Sequence, residues 1–506
     1  MSEKTIETQV AIIGGGISGT TIARELSKYR LDTCLIEKEA GCGFGITKAC
    51  QGLVHGGAAY MSSRMIKFHG GMDLRDFVRM PLGLKERWGN LGREEYFALA
   101  PLLGVEVPMP GKLTLAEDQQ DMEMILFLKE MADEQGMRGL VLLDRKELEE
   151  KEPMVHPKFN YALYDPNEAA VVPTAWAMAF AKHAEQNGVH VYKSTEVQSI
   201  EERSGYYLIR TNNTSFEAEY VVNAAGLFAD EIADMVGTAD FSVSGWKVEL
   251  LITENRDYLH HVMVRAPRPQ RGRVLVPTPH NSIVFAHTFS PMTHKRDTST
   301  TRAGLQELMG YPRDMLTGVS EKDVISTFAS FLTFNTKNPA DHLLECPKRG
   351  FINAVVSAPG LAPAPAMARE IVTMLAEQGL ELTTRTDFNP YLQKLPRLMD
   401  LSTEEKNRMI REEPRFGHII CRCEHVSEQE IRAAVREGAR TMDEIKFRTL
   451  AGFGRCQGGF CTSRILQIMS EELGVSPLEL SKKGGASYIL AGETKPYKEE
   501  MLKGDI

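Results

Sequence analysis

The sequence lacks several features that would place the chain in a specialised class. Its 506 residues contain no apolar run long enough to span a bilayer, and the opening MSEKTIETQV is not a signal peptide. The net charge of −9 argues against a nucleic-acid-binding surface. Internal repeats and low-complexity tracts are also missing. We therefore predict a cytoplasmic protein, with peripheral contact to the inner face of a membrane left open.

Cysteine is scarce, and disulfides are not expected. Eight cysteines in a cytosolic chain favour free thiols or metal ligands. A chain of 506 residues is too long for one hydrophobic core, so roughly two to four domains are predicted.

The beginning of the chain has the pattern of a dinucleotide-binding unit. An apolar strand at Val10–Ile13 runs into Gly14-x-Gly16-x-x-Gly19, a helix follows, and a second strand ends at Glu37. Gly14 permits a tight turn, Gly16 lets the backbone approach a pyrophosphate, and Gly19 lets the helix pack on the sheet. The helix N-terminus offers N–H groups to the phosphates, and Glu37 stands where a carboxylate hydrogen-bonds an adenosine ribose. The complete pattern favours dinucleotide binding over a helix-to-sheet turn without a ligand.

A segment rich in glycine and small residues follows directly, at residues 41–60. Because few side chains block it, such a segment can lie flat against a large planar ligand. Within it, residues 52–57 read Gly-Leu-Val-His-Gly-Gly. This run resembles the flavin-contacting pattern G-L-L-H-S/A-G of FAD-dependent oxidoreductases that include glycerol-3-phosphate dehydrogenase and L-2-hydroxyglutarate oxidase. A nicotinamide enzyme would not need this second segment, so FAD is the predicted cofactor.

Three later segments resemble the same family. The strand YVVNAAG ends in Ala225-Gly226, and small residues at a strand's carboxyl end leave room for a cofactor. SAPGLA at residues 357–362 matches the part that meets the flavin pyrimidine, where N–H dipoles would stabilise negative charge. In the resembling enzymes, the Glu-Val step that Glu196-Val197 matches meets adenine through its backbone. The predicted cofactor-binding residues are Gly14, Gly16, Ile17, Ser18, Gly19, Glu37, Lys38, Thr47, Gly52, Leu53, His55, Val197, Ala225, Gly226, Gly360, Leu361 and Ala362.

Three residues are candidates for catalysis. Lys247 lies in a segment that resembles the family strand holding a basic residue near the isoalloxazine. His287 ends a β-hairpin predicted over residues 273–288, where the family usually shows Gly-Pro-Thr or Gly-Thr-Thr. A histidine titrates near neutral pH and could take a hydroxyl proton while hydride leaves carbon for the flavin. His55 is the competing base, and either histidine could instead be a hydrogen-bonded structural residue.

One strand departs from the family at the position that binds substrate. Residues 324–334 resemble a strand with the pattern F-A-G-x-R, whose arginine grips a phosphate or carboxylate bidentately. Here Leu332 replaces the arginine, and Ser330 replaces the glycine. Another cation would have to substitute, or the substrate is less charged, or the pocket has lost its activity. The lysines considered as substitutes are Lys48, Lys247 and Lys337.

The composition changes after residue 415, where four cysteines form two closely spaced pairs. Cys421-x-Cys423 and Cys456-x4-Cys461 flank a helix that Ser427 and Glu430 begin with a capping box. Four thiolates on two glycine-relaxed loops can enclose a 2Fe–2S cluster or bind zinc, but zinc usually uses C-x2-C pairs. Free thiols are the third reading. The segment resembles the bacterioferritin-associated-ferredoxin-like domain of the anaerobic glycerol-3-phosphate dehydrogenase large subunit, which favours 2Fe–2S.

The predicted fold class is α/β. A discontinuous Rossmann-like FAD-binding domain spans residues 1–85, 150–240 and 324–380. An antiparallel-sheet α+β substrate domain comprises residues 86–149 and 241–323. Residues 381–415 are a charged linker, and residues 416–506 are a small helical 2Fe–2S domain.

These observations predict a dehydrogenase, since a pure oxidase would need no cluster. It would oxidise a small hydroxy compound, glycerol-3-phosphate-like or a 2-hydroxy acid, by hydride transfer to FAD. Electrons would leave through the cluster to a partner subunit or a quinone pathway. One alternative is an amino-acid or amine dehydrogenase subunit of the opine or hydroxyproline type. The other is a non-catalytic electron-transfer subunit, which the substitution at Leu332 motivates.

Overall fold

A computed structural model describes residues 5–67, 72–80, 82–268, 273–393 and 395–492. The chain divides into a larger unit that ends at Gln393 and a smaller unit that consists of the residues after it together with Glu39–Gly41. In the described ranges, no helix combines the length and the apolar character needed to cross a membrane.

The strands and helices of these ranges are as follows. The strands are β1 Thr5–Ile13, β2 Thr33–Ile36, β3 Leu53–Val54, β4 Lys112–Ala116, β5 Val141–Leu143, β6 Tyr161–Asp165, β7 Ala169–Ala170, β8 His190–Tyr192, β9 Val197–Arg203, β10 Tyr206–Thr211, β11 Ser215–Asn223, β12 Val243–Glu254, β13 Val262–Arg265, β14 Val274–Pro277, β15 Ser282–Ala286, β16 Ser290–Pro291, β17 Val324–Asn335, β18 Leu343–Lys348, β19 Phe351–Val355, β20 Ile419–Cys421 and β21 Val426–Ser427. The helices are α1 Ile17–Leu26, α2 Gly57–Lys67, α3 Leu74–Arg79, α4 Leu84–Leu103, α5 Gln119–Glu134, α6 Arg145–Lys151, α7 Pro173–Gln186, α8 Ala229–Met235, α9 Arg302–Met315, α10 Ala364–Glu377, α11 Thr403–Glu412, α12 Glu428–Arg436, α13 Met442–Thr449 and α14 Thr462–Leu473.

The first sheet of the larger unit carries the glycine motif. Its strands run in the order β18-β19-β11-β1-β2-β8, and β9 and β10 extend it from β11. The pairs from β19 to β8 are parallel, as a sheet built from βαβ crossovers requires. Alternate residues of β1 face opposite layers: Ile12 packs with helix α1, and Ile13 packs with Ile209. Full burial of each such side chain contributes about 1.5–3 kcal/mol, which explains why this strand is apolar on both faces.

The second sheet of the larger unit is mostly antiparallel. Its strands run in the order β16-β12-β15-β14-β13-β4-β6-β5, with β17 also paired to β12 and with β13 parallel to β4. One face packs on α9 through a core that includes Leu251, Phe285 and Leu308. The predicted hairpin is present as β14 and β15.

Two strands of the predicted FAD-binding domain pair with the second sheet, and the domain boundaries themselves stay a prediction. The prediction assigned residues 150–240 and 324–380 to the FAD-binding domain. However, β6 pairs with β4, and β17 pairs with β12, so both strands belong to the second sheet. The partners of these strands, β4 and β12, are distant in the sequence, so the sequence offers no local signal of the pairing.

The smaller unit is helical, as predicted. Helices α12, α13 and α14 bury Ile431, Ile445 and Ile465 in one core. Ser427 caps α12, and Glu430 completes the capping box that the sequence predicts. The predicted charged linker contains the surface helix α11. Residues 493–506 of the predicted domain lie outside the described residues.

Candidate active site

The glycine turn after β1 is too tight for any side chain at two positions. Gly14 has φ +107°, and a Cβ there would lie 2.5 Å from the carbonyl oxygen of Ala224. A Cβ at Gly19 would lie 1.8 Å from the carbonyl oxygen of Gly14. The helix therefore starts in direct contact with the turn. This close approach brings its N-terminus to the carboxyl edge of the parallel sheet, where α/β folds bind nucleotides.

Replacement of Gly19 by alanine is expected to release FAD and to lower the free energy of unfolding by about 1–3 kcal/mol, since the backbone must move to admit the Cβ. Gly310 offers a matched control, because it lies on the exposed side of α9, and a Cβ there would meet nothing within 4 Å. Gly310→Ala should keep its FAD and gain up to about 1 kcal/mol from helix propensity. Flavin absorbance of the purified variants and their thermal unfolding measure both effects. Equal FAD content in the two variants would contradict the role of Gly19.

The start of α1 has the properties of a pyrophosphate-binding site. Gly16 is the N-cap and supplies no side chain, and the first turn holds no acidic residue. The Ile17 N–H donates to Thr47 Oγ1 at 3.0 Å, which brings the start of residues 46–49 against the helix. Ser18 follows in the same turn. The positive end of the helix dipole is thus combined with a hydroxyl at the edge of the sheet.

The second strand ends in a buried carboxylate. Glu37 is 7% exposed, and its Oε2 accepts from the Gly15 N–H at 2.5 Å. The Glu37 carbonyl accepts from Thr195 N–H at 2.8 Å, so the chain that leads into Val197 lies beside it. Glu37, predicted to bind the ribose, and the segment before Val197, predicted to contact the adenine, therefore lie together at one end of the glycine turn.

Lys38 and the Ala225-Gly226 step occupy neighbouring positions. Lys38 Nζ lies 3.4 Å from the centroid of the Phe228 ring, a cation–π contact. Gly226 has φ +56° and begins the short helix that contains Phe228. Lys38 therefore packs on the segment that follows β11.

The predicted flavin-contacting segment, residues 52–57 (the flavin segment), pairs with β7. Gly52 has φ +79°, its carbonyl accepts from Val171 N–H at 2.7 Å, and a Cβ there would lie 2.2 Å from the Val171 carbonyl oxygen. Leu53 then pairs with Ala170. This pairing directs the chain so that the next residue of interest, His55, stands opposite the residue that precedes β7.

That residue is Glu168, and it holds His55. His55 Nδ1–H donates to Glu168 Oε1 at 2.6 Å, while Glu168 Oε2 lies 3.4 Å from Lys112 Nζ. Glu168 is 0% exposed. Burial alone would raise the pKa of this carboxyl, but Lys112 and His55 outweigh burial and lower the pKa to about 2. Sequence reasoning missed Glu168 and Lys112, because neither belongs to a motif and the two lie 56 residues apart in the chain.

His287 has a different environment. It is 4% exposed, and its Nε2 lies 3.0 Å from Gln51 Oε1. An amide oxygen only accepts, so this contact requires the proton of His287 to sit on Nε2. The structure therefore brings His287 to the flavin segment in a donor role, whereas His55 has its donor nitrogen occupied by a carboxylate.

Lys247 does not share the face that carries Leu332. Trp246 stands directly opposite Leu332, and Lys247 stands one step further along the strand. Because successive residues of a strand alternate faces, Lys247 points to the other side, where its Nζ bonds Asp297 Oδ2 at 2.6 Å. The catalytic role of Lys247 stays a prediction, and in this structure its side chain is held in the ion pair with Asp297.

The strand register also shows which face of the second sheet contains Leu332. Lys112 stands opposite Val262, and residues paired across β13, β14, β15, β12 and β17 lie on the same face as far as Leu250 and Leu332. Lys112 and Leu332 thus share one face of the second sheet, opposite to the face that packs on α9. Since Lys112 contacts Glu168, this is the face turned toward His55.

The predicted pyrimidine-binding turn is held from several sides. Tyr96 Oη donates to the Leu361 carbonyl at 3.0 Å, and Lys85 Nζ donates to the Ala358 carbonyl at 2.9 Å. The Ser357 N–H donates to His342 Nδ1 at 3.1 Å, and burial lowers the pKa of His342 to about 3, which keeps the ring neutral. Gly360 and Ala362 lie in this turn, and α10 begins at Ala364 without a capping side chain. The turn therefore presents backbone groups and a helix N-terminus from a rigid frame.

In the smaller unit, the four cysteines form two pairs, each with one member from each loop. Cys423 Sγ lies 3.6 Å from Cys456 Sγ. Cys421 and Cys461 share a hydrogen bond, which lowers the pKa of Cys421 to about 5 and raises that of Cys461. A 2Fe–2S cluster bound by four cysteines takes two thiolates on each iron, and two cross-loop pairs fit that requirement.

The glycine turn with its neighbouring segments fits FAD, and the four thiols fit a 2Fe–2S cluster, the two cofactors that the sequence predicts. A Cβ at Gly454 would lie 2.5 Å from Cys423 Cβ. The loop before Cys456 therefore needs a glycine at this position for the two pairs of thiols to come together. FAD would be held by the α1 start, Glu37, the Gly52–His55 segment and the turn before α10. These features define a dinucleotide-dependent redox protein with a separate four-thiol unit.

Comparison with known proteins gives the family. The profile for "FAD dependent oxidoreductase" matches residues 9–374, and the profile for "BFD-like [2Fe-2S] binding domain" matches residues 419–471. The chain therefore belongs to the family of FAD dependent oxidoreductases. These matches confirm the predicted fold class, the enzyme class, and FAD and a 2Fe–2S cluster as cofactors.

Individual relatives agree with this assignment. The "Glycerol 3-phosphate dehydrogenase" of Caloramator mitchellensis is 33% identical over 501 residues, which cover 96% of this chain and 98% of that protein. The "Anaerobic glycerol-3-phosphate dehydrogenase subunit A1" of Haloferax volcanii is 22% identical over 92% of this chain and 83% of its own length. The solved "L-alpha-Glycerophosphate Oxidase from Mycoplasma pneumoniae with FAD bound" superimposes with a TM-score of 0.67, at 23% identity, over 77% of this chain and 99% of that one. This last likeness shows the fold.

Proposed function

We propose that this chain is a dehydrogenase that oxidises the C–OH group of a small hydroxy compound, with glycerol 3-phosphate as the first candidate. The observation that carries the proposal is the His55–Glu168 contact, which presents a histidine base on the flavin segment. The relative from Caloramator mitchellensis supports the substrate class, because its similarity extends over nearly the whole of both chains.

His55 would take the hydroxyl proton in this reaction. Its Nδ1–H is held by Glu168, so the lone pair for a proton is on Nε2. When the substrate loses its hydroxyl proton to Nε2, the carbinol C–H bond breaks with its electron pair, and a carbonyl forms. FAD supplies the hydride acceptor, and the 2Fe–2S cluster supplies a one-electron exit to a protein partner or a quinone pathway.

A phosphate-bearing substrate needs a cation, and the structure separates the three lysines considered for that role. Lys247 is bound to Asp297 on the other face of the sheet. Lys337 bonds Asp240 and Glu345, each at 2.6 Å, on the exposed surface. Lys48 lies in the short helix Ile46–Ala49, which packs against β17, the strand of Leu332. Lys48 is therefore the proposed replacement for the family arginine.

Replacement of Lys48 by methionine is expected to raise KM for glycerol 3-phosphate at least about tenfold with a smaller change in kcat. The lost contact would bind substrate and transition state alike, and such losses appear in KM. Lys337→Met is the matched control, because it removes a lysine that is already paired at the surface. Steady-state kinetics with glycerol 3-phosphate and with glycerol separates charge recognition from general damage. An unchanged KM in Lys48→Met would reject the assignment.

The substrate proposal is tested by an anaerobic panel of glycerol 3-phosphate, 2-hydroxyglutarate and several amino acids. Bleaching of the flavin by a hydroxy compound supports the proposal. Bleaching by amino acids alone would favour the amine-dehydrogenase alternative. If no small donor bleaches the flavin and a reduced partner protein does, the chain is an electron-transfer subunit.

A further inference from the structure

We propose that Glu168 and Lys112 form a buried charge pair that positions His55, fixes its tautomer, and sets the electrostatic field at its ring. Both act through His55 and neither is assigned a contact with substrate, so they are positioning residues. The proposal rests on the proposed function only for the use that the enzyme makes of His55.

Three separate parts of the chain meet at this pair. His55 follows β3, Glu168 precedes β7, and Lys112 begins β4. Backbone contacts hold them in place: the Gly111 N–H donates to the Glu168 carbonyl at 3.2 Å, and β3 pairs with β7. The side chains of Glu168 and Lys112 are 0% and 7% exposed. Neither charge can turn to solvent, so each must be compensated where it is.

The charges of Glu168 and Lys112 have opposite effects on the His55 ring. A carboxylate accepts hydrogen bonds only, so Glu168 holds the His55 proton on Nδ1. Its negative charge at 2.6 Å stabilises the protonated ring, and Lys112 beyond it opposes that stabilisation. Lys112 also keeps the buried carboxyl ionised, because burial alone would raise its pKa. The Glu168 carboxylate therefore orients the His55 ring, and Lys112 weakens the stabilisation that this carboxylate gives to the protonated ring.

Other charged and titratable groups surround this pair. Tyr60 on α2 lies with its ring centroid 6.1 Å from that of His55, and burial raises the pKa of Tyr60, so it stays neutral. Arg93 on α4 donates to the Asn167 carbonyl next to Glu168 and pairs with Glu94. Asp165 at the end of β6 accepts from the Asn167 N–H. Glu168 is closer to the His55 ring nitrogen than any of these, so its removal should dominate the response.

The test uses two variants with opposite expected effects on His55. Glu168→Gln removes the negative charge and should shift the titration midpoint of His55 to lower pH by about one unit or more. Lys112→Met removes the positive charge and should shift that midpoint to higher pH. The FAD-loaded full chain, labelled with isotopes in histidine, is titrated by NMR, and the His55 signal is assigned by its loss in His55→Asn. The pH profile of kcat/KM is measured in parallel.

Glu152→Gln provides a matched control at a second buried carboxylate. Glu152 is 0% exposed and accepts from His261 Nδ1 at 2.8 Å, on a different part of the chain. This variant should leave the His55 titration unchanged. A His55 midpoint that is the same in wild type, Lys112→Met and Glu168→Gln would overturn the inference, whatever the activity. If the midpoint moves as expected but the kcat/KM profile does not follow it, the inference stands and the assignment of His55 as the base fails.

Discussion

Replacement of His55 by asparagine is expected to slow reduction of the flavin by substrate about 10²–10⁴-fold. The base would be gone, while asparagine keeps a donor for the Glu168 carboxylate and so spares the buried charge. Stopped-flow absorbance under anaerobic conditions measures the effect directly. The comparison requires equal FAD content in the variant and the wild type, since His55 also lies in the flavin segment.

His287→Gln is the control for this result. His287 Nε2–H donates to Gln51, and a glutamine side chain is long enough to place an amide N–H near the position of Nε2, so flavin reduction should stay within about tenfold of wild type. A large loss in His287→Gln with near-normal flavin reduction in His55→Asn would reverse the roles of the two histidines.

Replacement of Cys461 by serine is expected to remove the cluster and leave the flavin chemistry intact. Cys461 is 1% exposed and is paired with Cys421, so the site would keep three thiols and a buried hydroxyl. The variant should contain little iron, and its turnover with a one-electron acceptor should fall by at least about tenfold. Anaerobic bleaching of FAD by substrate should be unchanged. Iron analysis, visible absorbance and the two assays separate these effects.

Cys346→Ser is the matched control for the cluster. The Cys346 thiol donates to the Lys348 carbonyl at 2.9 Å, and a serine hydroxyl can make the same contact. Iron content and turnover should not change. Full iron content in Cys461→Ser, or zinc in place of iron in the wild type, would contradict the assignment of the four sulfurs.

The sequence predicts the local parts of this protein well. The strand, the glycine turn and the helix at residues 10–26 depend on neighbouring residues, and the capping box of Ser427 with Glu430 depends on a spacing of three. Such short-range constraints leave a pattern in one sequence. The four cysteines are also recognisable in the sequence, because Cys421 and Cys423 lie close together in one loop and Cys456 and Cys461 in another.

The sequence does not predict the contacts that join distant strands. Glu168 and Lys112 meet because β4, β6 and β7 bring them together, and no spacing rule connects the two. A shift of one residue along a strand reverses the side of the sheet, so the face on which Lys247 lies follows from the pairing of β12 with β17 and not from the neighbouring residues. The same limit applies to the sheet that β6 and β17 join, which depends on pairing partners far away in the chain.

The central claim is that a flavin that takes hydride and a cluster that takes single electrons operate in sequence in one chain. Its most direct test is an anaerobic titration of the purified holoenzyme with glycerol 3-phosphate, followed by flavin absorbance and by low-temperature EPR. The account predicts that the substrate bleaches the flavin and that a reduced 2Fe–2S signal then appears in the wild type and is missing in Cys461→Ser. A bleached flavin beside a cluster that never becomes reduced would contradict it.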